Sequence, residues 1–220
     1  MEILLLVTGI VIAYLLGSIP SSVWIGRVFF KTDVREHGSG NAGATNAMRT
    51  LGWKAGIVVL GFDVLKGALA VLLSDFFTPD CFTETHIIHY NVICATMAVI
   101  GHVYPVFAGF KGGKGVATLT GILVALLPWQ TGAAFVVFLI VMLISRYVSL
   151  SSIITAISYP FIVAFLPEIF PSLCSELSEM CPELSEMIFS IAIAVFIPIT
   201  HLKNIKRLLK GEEKKLFGKK

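Results

Sequence analysis

Charged residues are scarce in this chain. Only 14% of its 220 residues are Asp, Glu, Lys or Arg, whereas 56% are hydrophobic, and the mean hydropathy is +0.86. A soluble domain carries about 25% charged residues, so this composition excludes an ordinary soluble protein. Several apolar runs reach the roughly 17–25 residues that cross a bilayer as a helix. We therefore expect one all-α integral membrane domain over residues 1–220.

Cations are also missing before the first apolar run. Arg27 and Lys31 lie near the end of this run, which covers residues 3–30, and no Lys or Arg precedes it. Because the run is longer than the core of a signal peptide, we interpret it as a retained membrane span.

Several catalytic signatures are absent. Gly38-x-Gly40-x-x-Gly43 matches the dinucleotide fingerprint, but an apolar helix pattern precedes it where a strand is required. Gly113-Lys114 fails as a Walker A loop, because Ala108 and Gly115 stand where Gly and Ser or Thr are needed. No Gly-x-Ser-x-Gly elbow occurs, and no Cys or His spacing fits zinc. We expect no cofactor, no metal and no nucleic-acid partner.

Cysteine is rare, with four residues in the chain. Cys94 falls in an apolar run and is interpreted as packing. Cys81, Cys174 and Cys181 fall in expected outer loops, where a disulfide could form in an oxidising compartment.

The distribution of charge predicts the topology. Loops rich in Lys and Arg mark the cytoplasmic side of a membrane. With the N-terminus outside, every Lys and Arg except the in-span Lys66 lies on the cytoplasmic side, and the outer loops carry only acids. We predict seven transmembrane helices with a cytoplasmic C-terminus, at about residues 3–28, 55–74, 86–107, 116–127, 132–145, 153–166 and 187–200.

Four polar segments interrupt the apolar pattern. They cover residues 38–49, 109–118, 146–152 and 201–213, and all four fall on the predicted cytoplasmic side. Scattered loops would have no reason to share a composition and a face. We therefore expect these segments to form a single site.

The segment 38–49 is the most unusual of the four. Its glycines allow a ligand to approach backbone N–H groups, and Arg49 supplies a planar charge suited to phosphate or carboxylate. These features favour an anion-binding loop, with a surface loop that caps the next helix as the alternative. The other polar residues of interest here are Ser39, Asn41, Thr45 and Asn46.

The segment 109–118 places Gly112, Gly113 and Gly115 around Lys111 and Lys114, ahead of a helix near residue 116. Backbone N–H groups at a helix N-terminus favour anions. The pattern indicates a phosphate cradle, and the alternative is a cationic stop with flexible glycines.

Two pairs share helical spacing. Asp63 and Lys66 are i, i+3 neighbours inside a span, and such charges face the bundle interior and usually pair. A buried ion pair that holds helices together and a ligand contact both remain open. His201 and Asn204 have the same spacing in an amphipathic interfacial helix, where a histidine is often only hydrogen-bonded at the interface.

Acids are few on the predicted cytoplasmic side, namely Asp33, Glu36, Glu212 and Glu213. A site rich in cations and poor in bases favours chemistry between activated, phosphorylated substrates, in which positioning and charge stabilisation supply the rate. A transporter of an anionic metabolite is the main alternative, although no inverted repeat relates the two halves. A membrane protein that only recruits partners is a third.

Taken together, the motifs resemble the bacterial acyl-phosphate:glycerol-3-phosphate acyltransferases, the PlsY family. The resemblance covers nearly the whole chain. It rests on Gly17-Ser-Ile-Pro20, Asp33-x-Arg35-x-x-Gly38-Ser-Gly-Asn-x-Gly43-x-Thr45-Asn46-x-x-Arg49, Asp63-x-x-Lys66-Gly67, Gly101-His102-x-x-Pro105, Lys111-Gly-Gly-Lys-Gly-Val-Ala-Thr118, Ser149-Leu150 and His201-x-x-Asn204-x-x-Arg207-Leu.

The resemblance implies an activity. A fatty acyl group passes from acyl phosphate to the sn-1 hydroxyl of glycerol 3-phosphate, giving lysophosphatidic acid and phosphate in phospholipid biosynthesis. The enzyme would be a multi-pass protein of the bacterial inner membrane, in contact with membrane lipid, with its active site on the cytoplasmic face. A soluble enzyme that produces acyl phosphate is a candidate partner.

The resemblance also implies roles by position. Ser39 and Arg49 would bind phosphate, the Lys111–Gly115 loop would hold a substrate phosphate, and His201 and Asn204 would fix glycerol 3-phosphate. No protein base is implied, since a substrate phosphate takes the hydroxyl proton, and Glu213 matches a family glutamate that could be structural. The expected catalytic residues are Ser39, Arg49, Lys111, His201 and Asn204, and the expected substrate-binding residues are Asn41, Gly43, Thr45, Asn46, Gly112, Gly113, Lys114, Gly115, Ser149 and Ser152.

Overall fold

The computed structural model describes residues 1–171 and 182–216. The chain divides into two compact units, Met1–Leu126 and Leu127–Lys220. No strand occurs among the described residues, and every regular element there is a helix, which confirms the all-α class. The single domain expected over residues 1–220 stays a prediction.

The first unit, all of whose residues are described, contains six α-helices. They are α1 (Glu2–Gly17), α2 (Ser21–Phe30), α3 (Ala44–Leu51), α4 (Trp53–Leu72), α5 (Glu84–Val103) and α6 (Val116–Leu126). Short 3-10 helices at Val34–Glu36, Ser74–Phe77 and Val106–Ala108 lie in the connections between them.

The first expected span, residues 3–28, is bent where α1 meets α2. Pro20 stands at the N-cap of α2, and the two helices meet at 43°. Proline has no N–H group and cannot continue the helical hydrogen-bond ladder. The bend places Ser21 and Ser22, the first residues of α2, in the interior of the unit, where both are buried.

Small residues allow the helices of this unit to pack closely. Helix α1 packs on α5, and α4 packs on α6. A Cβ atom at Gly17 would overlap the main chain of Ala98, and one at Gly67 would overlap the carbonyl group of Thr118. Small residues at such crossings let helix backbones approach each other in membrane proteins, and here they bring α1 close to α5 and α4 close to α6.

The segment 38–49 was expected to be a loop, and this is wrong for its second half, because α3 begins at Ala44. Helix α3 packs on α4, and Met48 lies so close to Gly56 that a Cβ atom there would overlap it. Gly52 separates the two helices with φ of 97°, a conformation that glycine adopts readily. Tertiary packing thus stabilises a short polar helix whose intrinsic propensity is weak.

The described part of the second unit contains α7 (Pro128–Ser145), α8 (Val148–Ile169), α9 (Leu184–Thr200) and α10 (Leu202–Leu209). Helix α8 packs against both α7 and α9. Helices α9 and α10 meet at 59° around His201. The polar connector expected over residues 146–152 is shorter than predicted, since α8 already begins at Val148 and carries Ser149 and Ser152 in its first turns.

Four helices of the described residues are long and apolar enough to cross a membrane, or up to six if each bent pair is one span. Helix α6 is apolar but shorter, with 11 residues. Large apolar side chains such as Leu143 and Ile144 are 78% and 81% exposed, as expected of surfaces that contact lipid. These features support a multi-pass membrane protein. The count of seven spans and the orientation of the termini stay predictions.

The described cysteines are both free, Cys81 exposed and Cys94 buried. The other two candidates for a disulfide, Cys174 and Cys181, lie outside the described residues, as does much of the acidic segment 168–186.

The native residue Cys81 allows the membrane topology to be tested by labelling. In spheroplasts carrying a variant with Cys174 and Cys181 replaced by Ser, we expect an impermeant maleimide to label Cys81, because it is exposed and its loop is predicted to be outside. When Cys81 is also replaced and the exposed Lys54 is changed to Cys, labelling should require permeabilised membranes. Labelling of the cysteine at position 54 in intact spheroplasts, with Cys81 protected, would reverse the orientation.

Candidate active site

The buried side chain of Asn46 organises the segment 37–46. Its Oδ1 atom accepts a hydrogen bond of 2.7 Å from the Ser39 N–H, and its Nδ2 atom donates to the carbonyls of Val34 at 2.7 Å and His37 at 3.1 Å. Gly38 has φ of 64°, and a Cβ atom there would overlap Asn46 Oδ1. Asn46 therefore shapes the loop that presents Ser39, while its expected contact with substrate stays a prediction.

Several other residues of this segment lie half-buried around the start of α3, namely Ser39, Asn41, Gly43 and Thr45. Gly43 is the N-cap of α3, and its carbonyl oxygen accepts from the N–H groups of Asn46 and Ala47. The Ser22 hydroxyl donates to the Ala42 carbonyl at 2.8 Å and ties the loop to α2. The side chains of Ser39, Asn41, Thr45 and Arg49 are partly exposed, so a ligand can reach them.

Arg35 joins this segment to the second glycine-rich loop, a contact that sequence reasoning missed. It donates to Asp33 through Nε at 3.0 Å and Nη2 at 2.8 Å, and to the carbonyl of Ala108 through Nη1 at 2.7 Å. The hydrogen bonds from Arg35 hold the pKa of the Asp33 carboxyl well below its usual range, although burial acts in the opposite direction. The spacing Asp33-x-Arg35 was visible in the sequence, but its partner 73 residues away was not.

A polar cleft of about 520 Å³ lies where these two loops meet. It brings together part of the first two polar segments, as expected from their common composition. Three cations face two acids in its walls, so the cleft carries a net positive charge that suits an anion. Its lining consists of Arg27, Asp33, Arg35, Glu36, Gly40, Ala108, Gly109, Lys111 and Gly112.

The glycines of the second loop are engaged by the end of α5. The Gly112 N–H donates to the Val103 carbonyl and the Gly113 N–H donates to the His102 carbonyl, both at 3.1 Å. These two amides satisfy carbonyls at a helix C-terminus, which lack intrahelical partners. The phosphate cradle expected of this loop stays a prediction. The loop still offers the exposed Lys111 and the half-buried Lys114, with Gly115 directly before α6.

The expected pair of Asp63 and Lys66 is confirmed as a buried ion pair. Lys66 Nζ lies 2.9 Å from Asp63 Oδ1 and donates to the Ile19 carbonyl at 2.7 Å. The Ser21 hydroxyl donates to the same carboxylate oxygen at 2.7 Å. Of the two interpretations left open by the sequence, these contacts favour the pair that holds helices together, here α4 and the start of α2.

In the second unit, Glu213 gathers three polar side chains around its buried carboxylate. Its Oε1 atom accepts from the Ser149 hydroxyl at 3.0 Å and from Asn204 Nδ2 at 2.7 Å, and its Oε2 atom accepts from Arg207 Nε at 2.8 Å. Burial raises the pKa of this carboxyl, but the bonds from Asn204 and Ser149 and the charge of Arg207 outweigh it, so the net shift is downward. Ser149 and Asn204, both expected site residues, are thereby brought together.

His201 is buried at the bend between α9 and α10. Its Nδ1 atom lies 2.8 Å from the Ile197 carbonyl. Because a carbonyl can only accept, this contact assigns the proton to Nδ1 and leaves Nε2 as the acceptor in the neutral ring. Ser152 is also buried, and its hydroxyl donates to the Val148 carbonyl at 2.9 Å, so its proton is engaged within α8.

The fold and these residues define a helical membrane protein whose polar segments present Arg, Lys, Ser and Asn side chains suited to phosphate groups. Residues 7–211 match the family model described as glycerol-3-phosphate acyltransferase. The chain belongs to this family of integral membrane acyltransferases.

Individual relatives agree with the family model. The glycerol-3-phosphate acyltransferase of Chlorobaculum tepidum is 44% identical over 96% of this chain and 97% of its own length. That of Listeria monocytogenes is 42% identical over 93% of both chains.

Two solved structures share the fold. They show PlsY, an integral membrane glycerol 3-phosphate acyltransferase, in its glycerol 3-phosphate form and in its lysophosphatidic acid form. Both are 36% identical to this chain and cover 97% of it, with TM-scores of 0.78 and 0.75. The matches extend over 96% and 95% of the respective PlsY chains.

Proposed function

We propose that this protein transfers a fatty acyl group from acyl phosphate to the sn-1 hydroxyl of glycerol 3-phosphate. The observation that carries the proposal is the match over 97% of the chain to PlsY in its glycerol 3-phosphate form. The polar segments support it, because they hold cations and neutral hydrogen-bond donors and few acids. The reaction takes place at the cytoplasmic face of the bacterial inner membrane, and a soluble enzyme that makes acyl phosphate is a candidate partner.

The chemistry is a direct acyl transfer. The sn-1 oxygen attacks the acyl carbonyl carbon and forms the ester bond, the bond from that carbon to the phosphate oxygen breaks, and the hydroxyl proton leaves on the released phosphate. No protein base is needed, since the phosphate accepts the proton. The protein contributes by binding both phosphates and by stabilising the negative charge that develops on the carbonyl oxygen.

Roles follow from the resemblance and from the local geometry. Arg49 and Ser39 bind a substrate phosphate beside α3, and Lys111 and Lys114 bind a phosphate at the second glycine-rich loop. In the second unit, His201 and Asn204 hold glycerol 3-phosphate. Asn41, Gly43, Thr45, Asn46, Gly112, Gly113, Gly115, Ser149 and Ser152 complete the proposed substrate-binding residues.

One assay separates this proposal from its alternatives. Purified protein in detergent micelles, given labelled acyl phosphate and glycerol 3-phosphate, should form labelled lysophosphatidic acid. Micelles enclose no compartment, so a transporter of an anionic metabolite or a noncatalytic partner-binding protein would form none. Failure of the wild-type protein to form this product under conditions in which a family member does so would reject the proposal.

Divalent metal should be dispensable, and acyl-CoA should be a poor donor. The predicted cytoplasmic side carries few acids, whereas Mg²⁺ and Ca²⁺ are held mainly by carboxylates. We expect EDTA to leave the initial rate with acyl phosphate unchanged and acyl-CoA to give little product. Loss of the rate on addition of EDTA, with recovery on added Mg²⁺, would contradict the metal-free reaction.

A further inference from the structure

A buried polar cluster adjoins the lysine-containing loop of the first unit. It consists of Asp63 and Lys66 of α4 and His102 of α5, whose side chains are at most 6% exposed. Asp63 Oδ1 lies 2.9 Å from Lys66 Nζ and 3.7 Å from His102 Nδ1. None of the three has a role in the reaction described above.

His102 connects this cluster to the loop in two ways. Its carbonyl oxygen accepts the N–H of Gly113, and the following carbonyl, of Val103, accepts the N–H of Gly112. Its ring also lies against Gly113, where a Cβ atom would overlap the imidazole at Nε2. The end of α5 therefore determines the course of the chain between Lys111 and Lys114.

The ring itself is buried against the Asp63–Lys66 pair, whose two members are anchored. Asp63 is anchored by the Ser21 hydroxyl and Lys66 by the Ile19 carbonyl. A separation of 3.7 Å is too long for a hydrogen bond, so Asp63 supports the buried His102 ring by packing against it. Charged groups inside a membrane bundle are costly unless they are paired, which makes this cluster a rigid support.

We propose that His102 is a positioning residue for the acyl transfer. Held by the Asp63–Lys66 pair, it fixes Gly112 and Gly113 and thereby places the ammonium groups of Lys111 and Lys114 where a substrate phosphate binds. This role rests on the proposed function. The ring edge at Nε2, which faces Gly113, contributes more to the placement of this loop than the edge at Nδ1, which faces Asp63.

Replacement of the ring tests the role of each edge. Gln places a polar atom near the position of Nε2, and Asn places one near that of Nδ1. For His102→Ala we expect kcat/KM to fall about a hundredfold, the scale of misplacing a binding group by about 1 Å. His102→Gln should recover most of that loss and His102→Asn little of it.

The two Michaelis constants show whether the effect is one of positioning. In His102→Ala the KM of the substrate whose phosphate contacts the lysines should rise, and the other KM should stay constant. A defect confined to folding lowers the active fraction and hence the apparent kcat, with both KM values unchanged. That pattern, or equal recovery by Asn and Gln, would overturn the proposal.

Gly113→Ala provides a second test through the same contact. In the wild-type background the added methyl group meets the ring of His102, and we expect a loss of activity. The three atoms nearest to that methyl group all belong to the His102 ring, so in a His102→Ala background the same change should add little. Gly61→Ala is the matched control, since a Cβ atom at Gly61 meets nothing within 4 Å. Equal losses of activity from Gly113→Ala in both backgrounds would show that the His102 ring does not determine the conformation of the loop.

Lysine reactivity reports on the loop without turnover. Acetylation rates of Lys111 and Lys114, followed by mass spectrometry, should differ from wild type in His102→Ala and match it in Gly61→Ala. Unchanged rates in His102→Ala would reject the positioning role even if the enzyme is active. Conversely, a wild-type protein that fails to transfer acyl groups would reject the proposed function while this measurement still decides the structural claim.

Discussion

Arg49→Ala should lower kcat/KM for glycerol 3-phosphate by at least about a hundredfold. A guanidinium can bond two phosphate oxygens at once, and each charge-assisted hydrogen bond contributes about 1.5–3 kcal/mol. Because each 1.4 kcal/mol corresponds to about tenfold in rate, the loss of two bonds gives this estimate. Arg49 is half-buried in the last turn of α3, so the change should leave the membrane helices folded.

The substitution series gives Arg49 a testable signature. Arg49→Lys keeps the charge but not the planar fork, so it should be impaired, though less than Arg49→Ala. Ser39→Ala should act in the same direction more weakly, because a neutral hydroxyl bond is the smaller contribution. Steady-state kinetics on purified, monodisperse protein should place the effect mainly in the KM for glycerol 3-phosphate, with less change in the KM for acyl phosphate.

Lys54→Ala is a suitable control for the removal of a cation near α3. Lys54 is exposed at the start of α4, with its ammonium group 5.8 Å from the ring centroid of Trp53. Its loss should leave both Michaelis constants unchanged. Near wild-type kcat/KM in Arg49→Ala, or an equal loss in Lys54→Ala, would remove the segment 38–49 from the proposed site.

Features set by local spacing were predictable from the sequence. Asp63 and Lys66 were expected to pair because residues three apart face the same side of a helix, and their atoms lie 2.9 Å apart. The apolar helices were likewise visible from length and composition, although Pro20 was included in a continuous span that is bent there by 43°. In each case the information lies within a few residues of the feature.

Features set by distant contacts were not predictable. The contact of Asn46 with substrate stays a prediction, but the bonds of its amide to Ser39, Val34 and His37 were not foreseen. Sequence alone does not show which way an amide faces. The role of Arg35 depends on the carbonyl of Ala108, and that of His102 depends on Gly113. Helix α3 was missed because it depends on packing against α4 more than on the propensity of its own residues.

Glu213→Ala should destabilise the second unit and nearly abolish transfer. The carboxylate is buried and accepts bonds from Ser149, Asn204 and Arg207. Its removal takes one buried, charged acceptor away from each of these donors, which costs on the order of 3 kcal/mol, the low end for breaking a buried charged pair. Because Asn204 loses the atom that orients its amide, activity should fall even at temperatures where the protein remains folded. Thermal unfolding in detergent and the KM for glycerol 3-phosphate measure the two effects.

The variant Glu213→Gln separates the effect of the charge of this side chain from that of its shape. It also allows the dependence of stability on pH to be tested. The amide oxygen of Gln can still accept from Ser149 and Asn204, but its NH₂ group would face Arg207 Nε, so we expect intermediate stability.

The folded state lowers the pKa of Glu213, so the stabilising contribution of its carboxylate is present above the unfolded pKa of about 4.3 and is lost as the pH falls below that value. The wild-type melting temperature should therefore lose an increment as the pH falls from about 5 through the lowered pKa of Glu213, and Glu213→Gln should lack this increment. Glu212→Gln, at the exposed neighbouring position, should retain it, and identical pH profiles for the wild-type protein and Glu213→Gln would show that this carboxylate does not hold the cluster together.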